Sequence, residues 1–376
     1  MKTCSHCIME DEDWKVDYVD PYGSVMKWCD YCKDYYVRAN KELYPEIFGQ
    51  ALSKIFESSC GNAYDCLIGL SGGLDSSWVA YLLVKAGLKP FAITLDNGFD
   101  TDIAKHNVEA LVNGLNLHHE VVKVNKVQYK DLQLSLLKAS VKNAEAITDH
   151  VIIAKMYEYA NKLGLKYIVH GGNIVTEAIM PKEWGYTAMD WRQLKGIHKQ
   201  FGTGSIKGFP HMNLWNWFNY TFLKRIKWFP LLNYYPYNVK LAKRVLKEEL
   251  GWQDYGHKHM ENIYTRFFQG YILPKKFGID KRKAHLSTLI CSGQMTREHA
   301  LELMQENYYS SDFIEGCRVR RFDKSVICKY FNLTEVQFDE LIEQEGKSHT
   351  EYPNNEKLFK RLSGLVEFAR KVAVSA

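Results

Sequence analysis

Cys66-Leu67-Ile68-Gly69-Leu70-Ser71-Gly72-Gly73-Leu74-Asp75-Ser76-Ser77 reads as a short buried strand, a glycine turn and the start of a helix. The apolar run over 66–70 suits a strand covered on both faces. Gly72 and Gly73 remove the side chain at two successive positions, so the backbone turns tightly and its N–H groups can approach an anion closely. Ser71, Ser76 and Ser77 add hydroxyl donors, and a helix over about 75–85 points its positive end at the same place. No lysine follows the glycines in Gly-Lys-Ser/Thr order, so this is not a Walker-type loop. The cleavage expected of it moves from the γ-phosphate to the α–β linkage of a nucleotide.

Outward from this stretch the pattern alternates. Residues 91–95 repeat the strand signal, 103–115 the helical one and 120–124 the strand; Thr148-Asp149 offers a cap for a helix over 150–163, and a strand over 167–170 ends at Gly171-Gly172-Asn173. Strands alternating with helices predict an α/β fold with a doubly wound, mainly parallel sheet, whose ligands sit at the carboxyl ends of the strands. Gly171 and its neighbour therefore either admit a nucleotide or form a plain loop. On the N-terminal side, the apolar spacing between Val37 and Phe56 predicts an amphipathic helix. Residues 181–240 carry Trp184, Trp191, Trp215, Trp217 and Trp228 among many Tyr, Phe, Lys and Arg residues and call for something other than sheet packing. Beyond Asp254 the sequence reads as helical, ending in an amphipathic helix near 356–373. The expected division is a metal-held module with its linking helix over 1–58, a nucleotide-binding unit over 59–253 with an aromatic insertion from about 181, and a helical region for substrate or partner over 254–376.

The first 35 residues hold four of the nine cysteines and too little apolar sequence to bury a core unaided. Cys4-Ser5-His6-Cys7 and Cys29-Asp30-Tyr31-Cys32 each present two thiols one knuckle apart, and together they offer four soft ligands for a tetrahedral, structural Zn²⁺. An iron–sulfur cluster or four free thiols remain open as alternatives, and His6 reads as a bystander. Cys66 belongs to a core strand, and Cys291 reads as packing, with a place near the site left open. The 376 residues carry 49 Lys+Arg against 44 Asp+Glu, a net charge of +5, too mild to argue for nucleic acid or membrane. No apolar run approaches the roughly 20 residues that span a bilayer. A cytoplasmic, reducing setting is expected, without nucleic-acid or membrane partners.

The seven residues from Ser71 to Ser77 resemble the signature of the PP-loop ATP-pyrophosphatases, a likeness that covers roughly 60–175 at the level of the fold. It implies ATP as substrate and Mg²⁺ as companion, with Ser71, Gly72, Gly73, Ser76 and Ser77 on the pyrophosphate and Asp75 on the magnesium. It also places Leu95 and Asn97, in Leu95-Asp96-Asn97-Gly98, where that family receives adenine and ribose, although Asp96 and Asn97 read equally as turn formers. Further along, the order of Tyr255-Gly256-His257-Lys258-His259-Met260-Glu261-Asn262, Phe277-Gly278-Ile279-Asp280-Lys281-Arg282 and Ser292-Gly293-Gln294-Met295-Thr296-Arg297 is similar to that of the N-acetyl sugar amidotransferases of bacterial surface-polysaccharide synthesis. That likeness covers nearly the whole chain. It implies conversion of an acetamido group to acetamidino on a nucleotide-activated sugar, such as a UDP-linked 2,3-diacetamido-mannuronic acid, with ATP and with ammonia from a separate glutaminase and cyclase-like pair.

Within this reading Lys258 is the expected cation on the departing pyrophosphate, and Glu261 orients Lys258 or takes a proton from ammonium. Arg266, Lys281, Arg282 and Arg297 are weaker candidates for phosphate or sugar carboxylate, each with a plain surface role as the rival. The chain shows no Gly-x-Cys-x-Gly elbow and Cys4 is not a processed N-terminal nucleophile, so the glutaminase is expected to be another protein. The competing reading is a tRNA-thiolating PP-loop enzyme, with the aromatic stretch near Trp215 stacking bases; the mild charge and the lack of a further Cys-x-x-Cys pair stand against it.

Overall fold

In the computed structural model, residues 2–11, 18–19, 25–26, 28–306, 316–359 and 361 are described. The N-terminal residues form two small antiparallel pairs, β1 (Lys2–Thr3) with β2 (Glu10–Asp11) and β3 (Tyr18–Val19) with β4 (Val25–Met26). The expected helix between Val37 and Phe56 is two helices, Asp30–Glu42 and Phe48–Glu57. Pro45 opens the short 3₁₀ turn between them, because it cannot donate into a continuing helix.

A five-stranded parallel sheet follows: β5 (Cys66–Gly69), β6 (Pro90–Asp96), β7 (His118–Lys123), β8 (Tyr167–His170) and β9 (Lys227–Pro230), in the order β7-β6-β5-β8-β9. The chain runs outward from β5 through β6 to β7 and then returns to add β8 and β9 on the other side. The direction of winding thus reverses between β5 and β8, and a crevice opens there at the carboxyl ends. Alternate residues of β5 serve opposite faces. Ile68 packs with Val79, Leu83, Leu111 and Leu246, whereas Leu67 packs with Met156, Tyr157 and Ala160. β9 was not apparent in the aromatic stretch: it is a four-residue edge strand ending in Pro230, with no alternation to reveal it.

Two helices differ from expectation. The one expected from 150 spans Ala146–Lys162, so Thr148 and Asp149 lie in its first turn rather than capping it. A further helix, Lys126–Lys138, is capped by the Asn125 side chain. Its Tyr129, Leu132 and Leu136 share one core with Phe267, Phe268 and Phe338 of the C-terminal half. The helical run over 263–277 widens into a π turn at Phe268–Ile272. Pro274, which has no N–H to return to Gly270, accounts for the widening. Residues 356–359 are helical, and the expected helix near 356–373 otherwise lies outside the described residues apart from 361, as does the side chain of Cys317.

Candidate functional site

The loop over 71–77 leaves β5 beside the end of β8, at the reversal of strand order. Gly72 takes φ +76°, and a Cβ there would stand 2.3 Å from the Ala104 carbonyl oxygen, so no other residue fits without moving the backbone. Its carbonyl accepts from Asn107 Nδ2 at 3.1 Å and Trp252 Nε1 at 3.2 Å, which pins the loop from behind. Gly73 precedes the helix Leu74–Lys85 without any side-chain cap, leaving helix N–H groups for an anion. One of them, Leu74 N, donates to the Tyr255 hydroxyl at 2.8 Å. The Ser71 and Ser76 hydroxyls lie 3.2 Å apart at the mouth of the loop. Ser77 departs from expectation: it is buried and donates to the Gly73 carbonyl at 2.7 Å, so it shapes the loop from inside instead of facing an anion.

Asp75 stands at the centre of a charged cluster. Its Oδ1 accepts from the Tyr237 hydroxyl, and its Oδ2 lies 3.1 Å from Lys258 Nζ. Lys258 also reaches Glu177 Oε1 at 2.7 Å and Thr176 Oγ1 at 3.0 Å. Burial works against the ammonium, but Asp75 and Glu177 outweigh it and hold the lysine above its usual range. Burial and then Asp75 keep the Tyr237 hydroxyl protonated. Asp75 and Glu177, not Glu261, therefore orient Lys258. Asp75 is also the carboxylate at the loop that would hold a Mg²⁺ arriving with phosphates; hard oxygen donors of this kind fit that ion.

Glu261 lies against the loop, its Oε1 2.9 Å from where a Gly73 Cβ would be, and its Oε2 has no hydrogen-bond partner among the described residues. Burial pushes its carboxyl up to about 7. Its backbone carbonyl accepts from both the N–H and the hydroxyl of Thr101 at 3.0 Å, which ties the segment over 255–262 to the loop after β6.

Between these groups and the sheet lies a cavity of about 470 Å³. Its lining is of two kinds. Ile93, Leu95, Val122, Ile152, Met156 and Trp228, with Gly69 and Gly171, supply apolar surface suited to a planar base. Asp100, Glu145, Asp149, Glu261, His259 and Lys281 supply the charged and polar groups. Leu95, Asn97 and Gly171 thus line the cavity as expected. Asn97 is at the same time a turn former, its Oδ1 accepting from Phe99 N at 3.0 Å. Burial, and then Glu145, push Asp149 up to about 7. Burial, and then His285, hold the His259 ring well below the usual histidine value, so it is neutral.

The four weaker candidates separate. Arg266 is locked in a two-point pair with the fully buried Asp323, at 2.8 and 2.6 Å. Arg282 folds back on Asp280 and donates to the Glu306 carbonyl. Arg297 donates to the carbonyls of Cys7 and Cys4, each at 3.1 Å. All three arginines have structural partners; Lys281 is the one of the four that lines the large cavity, while Arg266 and Arg282 line a smaller one beside Lys258.

The four N-terminal cysteines are brought together and buried. Cys7 and Cys29 sulfurs are 3.6 Å apart, Cys29 and Cys32 3.5 Å, and Cys4 and Cys32 3.9 Å. Four sulfurs bound to zinc at 2.3 Å define a tetrahedron with edges of about 3.8 Å, so the set fits one such ion. Thiolates in mutual contact leave no room for the inorganic core of an iron–sulfur cluster. His6 N and Cys29 N both point at Cys4 Sγ at 3.4 Å, and Met9 N points at Cys7 Sγ at 3.4 Å, contacts that favour thiolates. Cys60 is exposed and Cys66 is buried in β5.

Sequence reasoning missed Asn107, Trp252 and Tyr255 behind the loop, and Glu177, Thr176 and Tyr237 around Lys258. Most are ordinary core or turn residues until the chain folds. Glu177, four residues past Asn173, was the nearest to a visible signal.

Comparison with known proteins gives two family matches. Residues 61–178 match the family described as thiamine biosynthesis protein (ThiI), and residues 261–365 match that described as LPS biosynthesis protein WbpG-like, C-terminal domain. The NH(3)-dependent NAD(+) synthetase of Pyrococcus furiosus is 27% identical over 158 residues, covering 40% of this chain and 60% of that protein, less than two thirds of its length. Among solved structures, an NH3-dependent NAD synthetase from Campylobacter jejuni is 17% identical with a TM-score of 0.29, covering 41% of this chain and 72% of that one. An NMN synthetase from Francisella tularensis is also 17% identical, with a TM-score of 0.28 and coverage of 60% and 92%. The ThiI match and the curated relative support a PP-loop type for the loop-bearing sheet.

Proposed function

We propose that the protein is an ATP-pyrophosphatase type amidotransferase that converts an acetamido group of a nucleotide-activated sugar, of the UDP-2,3-diacetamido-mannuronic acid type, to acetamidino. The observation that carries this reading is a single cavity with two builders. The PP-loop sheet supplies one wall, and the segment that includes Glu261, Asn262, Thr265, Gln269 and Lys281, within the match to a lipopolysaccharide-biosynthesis family, supplies the other. The ammonia dependence in the name of the curated relative supports nitrogen as the incoming atom.

The chemistry follows from the acceptor. Amide resonance makes the acetamido carbon a poor electrophile and its oxygen a poor leaving group, and adenylation of that oxygen addresses both. The amide oxygen attacks the α-phosphorus, the bond to the bridging oxygen breaks, and pyrophosphate departs toward the N–H groups of Gly72 and Gly73. Lys258 meets the departing charge. A Mg²⁺ held by Asp75 would neutralise phosphate charge. Ammonia then adds to the imidate carbon, AMP leaves with the former amide oxygen, and the proton shed by nitrogen passes to Glu261, whose value near 7 suits the exchange. The two kinds of lining suit the two ligands, the apolar residues adenine and the polar ones the acceptor, with Lys281 the cation for its acid group. Ammonia is supplied by a separate glutaminase, with a cyclase-like companion. The thiolation reading shares the adenylating core, but no cysteine is among the residues lining the cavity to carry sulfur.

The test is incubation with MgATP, an ammonium salt and candidate UDP-diacetamido uronic acids. Mass spectrometry should find imine nitrogen in place of one acetamido oxygen, with AMP and pyrophosphate formed in step. Formation of ADP and orthophosphate, or sulfur entering undermodified tRNA in a parallel reaction, overturns the proposal.

A further inference from the structure

We propose that His6, Cys32 and Cys291 hold a second Zn²⁺, bridged through the Cys32 sulfur to the ion of the four-cysteine site. The inference is independent of the reaction proposed above and rests on the geometry around Cys32.

Cys32 Sγ lies 3.5 Å from the Cys29 sulfur, 3.9 Å from that of Cys4 and 3.7 Å from that of Cys291. The first two are edges of the tetrahedron already described. The third, of comparable length, leads to a residue outside the four-cysteine set and 259 positions along the chain, so Cys32 belongs to two ligand sets. The second set has its own nitrogen. Ligand atoms of His6, Cys32 and Cys291 all lie within 4.8 Å of one another, a group that shares only Cys32 with the four-cysteine set. His6 is fixed for the task, its ring stacked on Trp28 at 4.4 Å and its Nε2 hydrogen-bonded to the Tyr36 hydroxyl at 3.2 Å. With Nε2–H donating to the Tyr36 hydroxyl, the Nδ1 lone pair is the one that would face a metal.

Charge favours the same arrangement. One Zn²⁺ with four thiolates leaves a buried charge of −2, and burying net charge is costly. A second Zn²⁺ adds +2, and the Cys291 thiolate with a neutral His6 adds −1, so the cluster falls to −1. The helix termini agree with this placement. Cys29 immediately precedes the helix Asp30–Glu42 and Cys32 lies in its first turn, where the N-terminus favours thiolate, whereas Cys291 ends the helix Lys281–Cys291, whose C-terminal carbonyls favour a nearby cation. Three protein ligands leave one position for solvent, which the half-buried His6 side can admit. The ion is structural. It joins the N-terminal module to the helix whose first residue, Lys281, lines the cavity.

The full-length chain, purified after growth with zinc, is measured by native mass spectrometry and elemental analysis. Two zinc ions per chain are expected, falling to one in C291S and one in H6Q, with the remaining ion more slowly released to a chromogenic chelator. The count on the unmodified chain needs no variant to fold. One zinc per chain there, with Cys291 only donating an S–H hydrogen bond to Cys32, overturns the proposal, and so do two ions that survive in both variants.

Discussion

Replacing Lys258 with methionine keeps the length of the side chain and removes its charge. Nζ lies 3.1 Å from Asp75 Oδ2 and 2.7 Å from Glu177 Oε1. A unit pair about 4 Å apart is worth about 4 kcal/mol at an effective dielectric of about 20. The Asp75 and Glu177 side chains are 21% and 34% exposed, so water takes up much of what each loses. Partial screening reduces the expected loss of folding stability to about 2 kcal/mol. The chemical cost is larger, because losing one donor aimed at developing charge lowers kcat about 10²- to 10³-fold. The assay is AMP and pyrophosphate release at saturating ATP, acceptor and ammonium, beside denaturant unfolding of the same samples. K258R, which keeps a cation, should recover part of kcat. If K258M loses the expected stability yet turns over within about threefold of wild type, less than 1 kcal/mol of barrier, Lys258 is a counter-ion only and the grip on pyrophosphate lies elsewhere.

Other substitutions test the remaining assignments. G72A places a Cβ 2.3 Å from a backbone oxygen at φ +76°, whereas G73A meets the movable Glu261 carboxylate at 2.9 Å; denaturant unfolding should show the first losing about 3 kcal/mol or more and the second about 1. The folded Glu261 carboxyl is raised from 4.5 to about 7. Across that window the native chain binds more protons than the unfolded one, so this group's contribution to stability falls as pH rises. E261Q should remove a slope worth up to about 3 kcal/mol, read by unfolding at several pH values, and should slow the ammonia step most above neutral pH. R266A strands the fully buried Asp323 and should cost about 3–5 kcal/mol. K281A should leave stability within about 0.5 kcal/mol while raising the acceptor KM about tenfold, and a reversed pattern in steady-state kinetics would exchange the roles of the two residues.

The sheet was legible because its signals are local. Apolar runs such as Cys66–Gly69 and Tyr167–His170 sit between glycines, and the loop needs glycine at Gly72 whatever surrounds it. β9 was not legible, since a four-residue edge strand is defined by its pairing with β8 and not by its own pattern. The site divided along the same line. Ser71, Asp75, Lys258 and the four cysteines could be picked out by type and setting in the sequence, and the structure pairs Asp75 with Lys258 and gathers the cysteines. Arginines do not: Arg266, Arg282 and Arg297 look alike in sequence, and only the positions of Asp323, Asp280 and the Cys4 and Cys7 carbonyls show each to be committed. Glu177 and Tyr237 gain their roles from Lys258 and Asp75, 81 and 162 positions away from them, which no window along the chain can register.

The seven residues from Tyr255 to Glu261 explain why the two halves of the cavity act as one. At three-residue intervals this segment reaches the loop three times: Tyr255 accepts from Leu74 N, Lys258 pairs with Asp75, and Glu261 lies against Gly73. Gly256 and His259 take positive φ, 87° and 68°, which allows the backbone to turn twice within that span. The next residue, Asn262, bridges to Asp100 after β6, and from there the chain enters the helices that carry Gln269 and Lys281 to the cavity lining. A displacement of those helices by an acceptor must therefore pass through the groups that touch the loop. Lys258 is the most exposed to it, because Asp75 would have to share its carboxylate with an incoming Mg²⁺ and give up part of its hold on the lysine. Glu177 and Thr176 hold Lys258 beside the loop, and under the proposed reaction a pyrophosphate oxygen would give the lysine a further partner. Under the proposed reaction, loop, cation and acceptor wall are joined by one short stretch of backbone, which would tie cleavage of the nucleotide to occupation of the cavity by the acceptor.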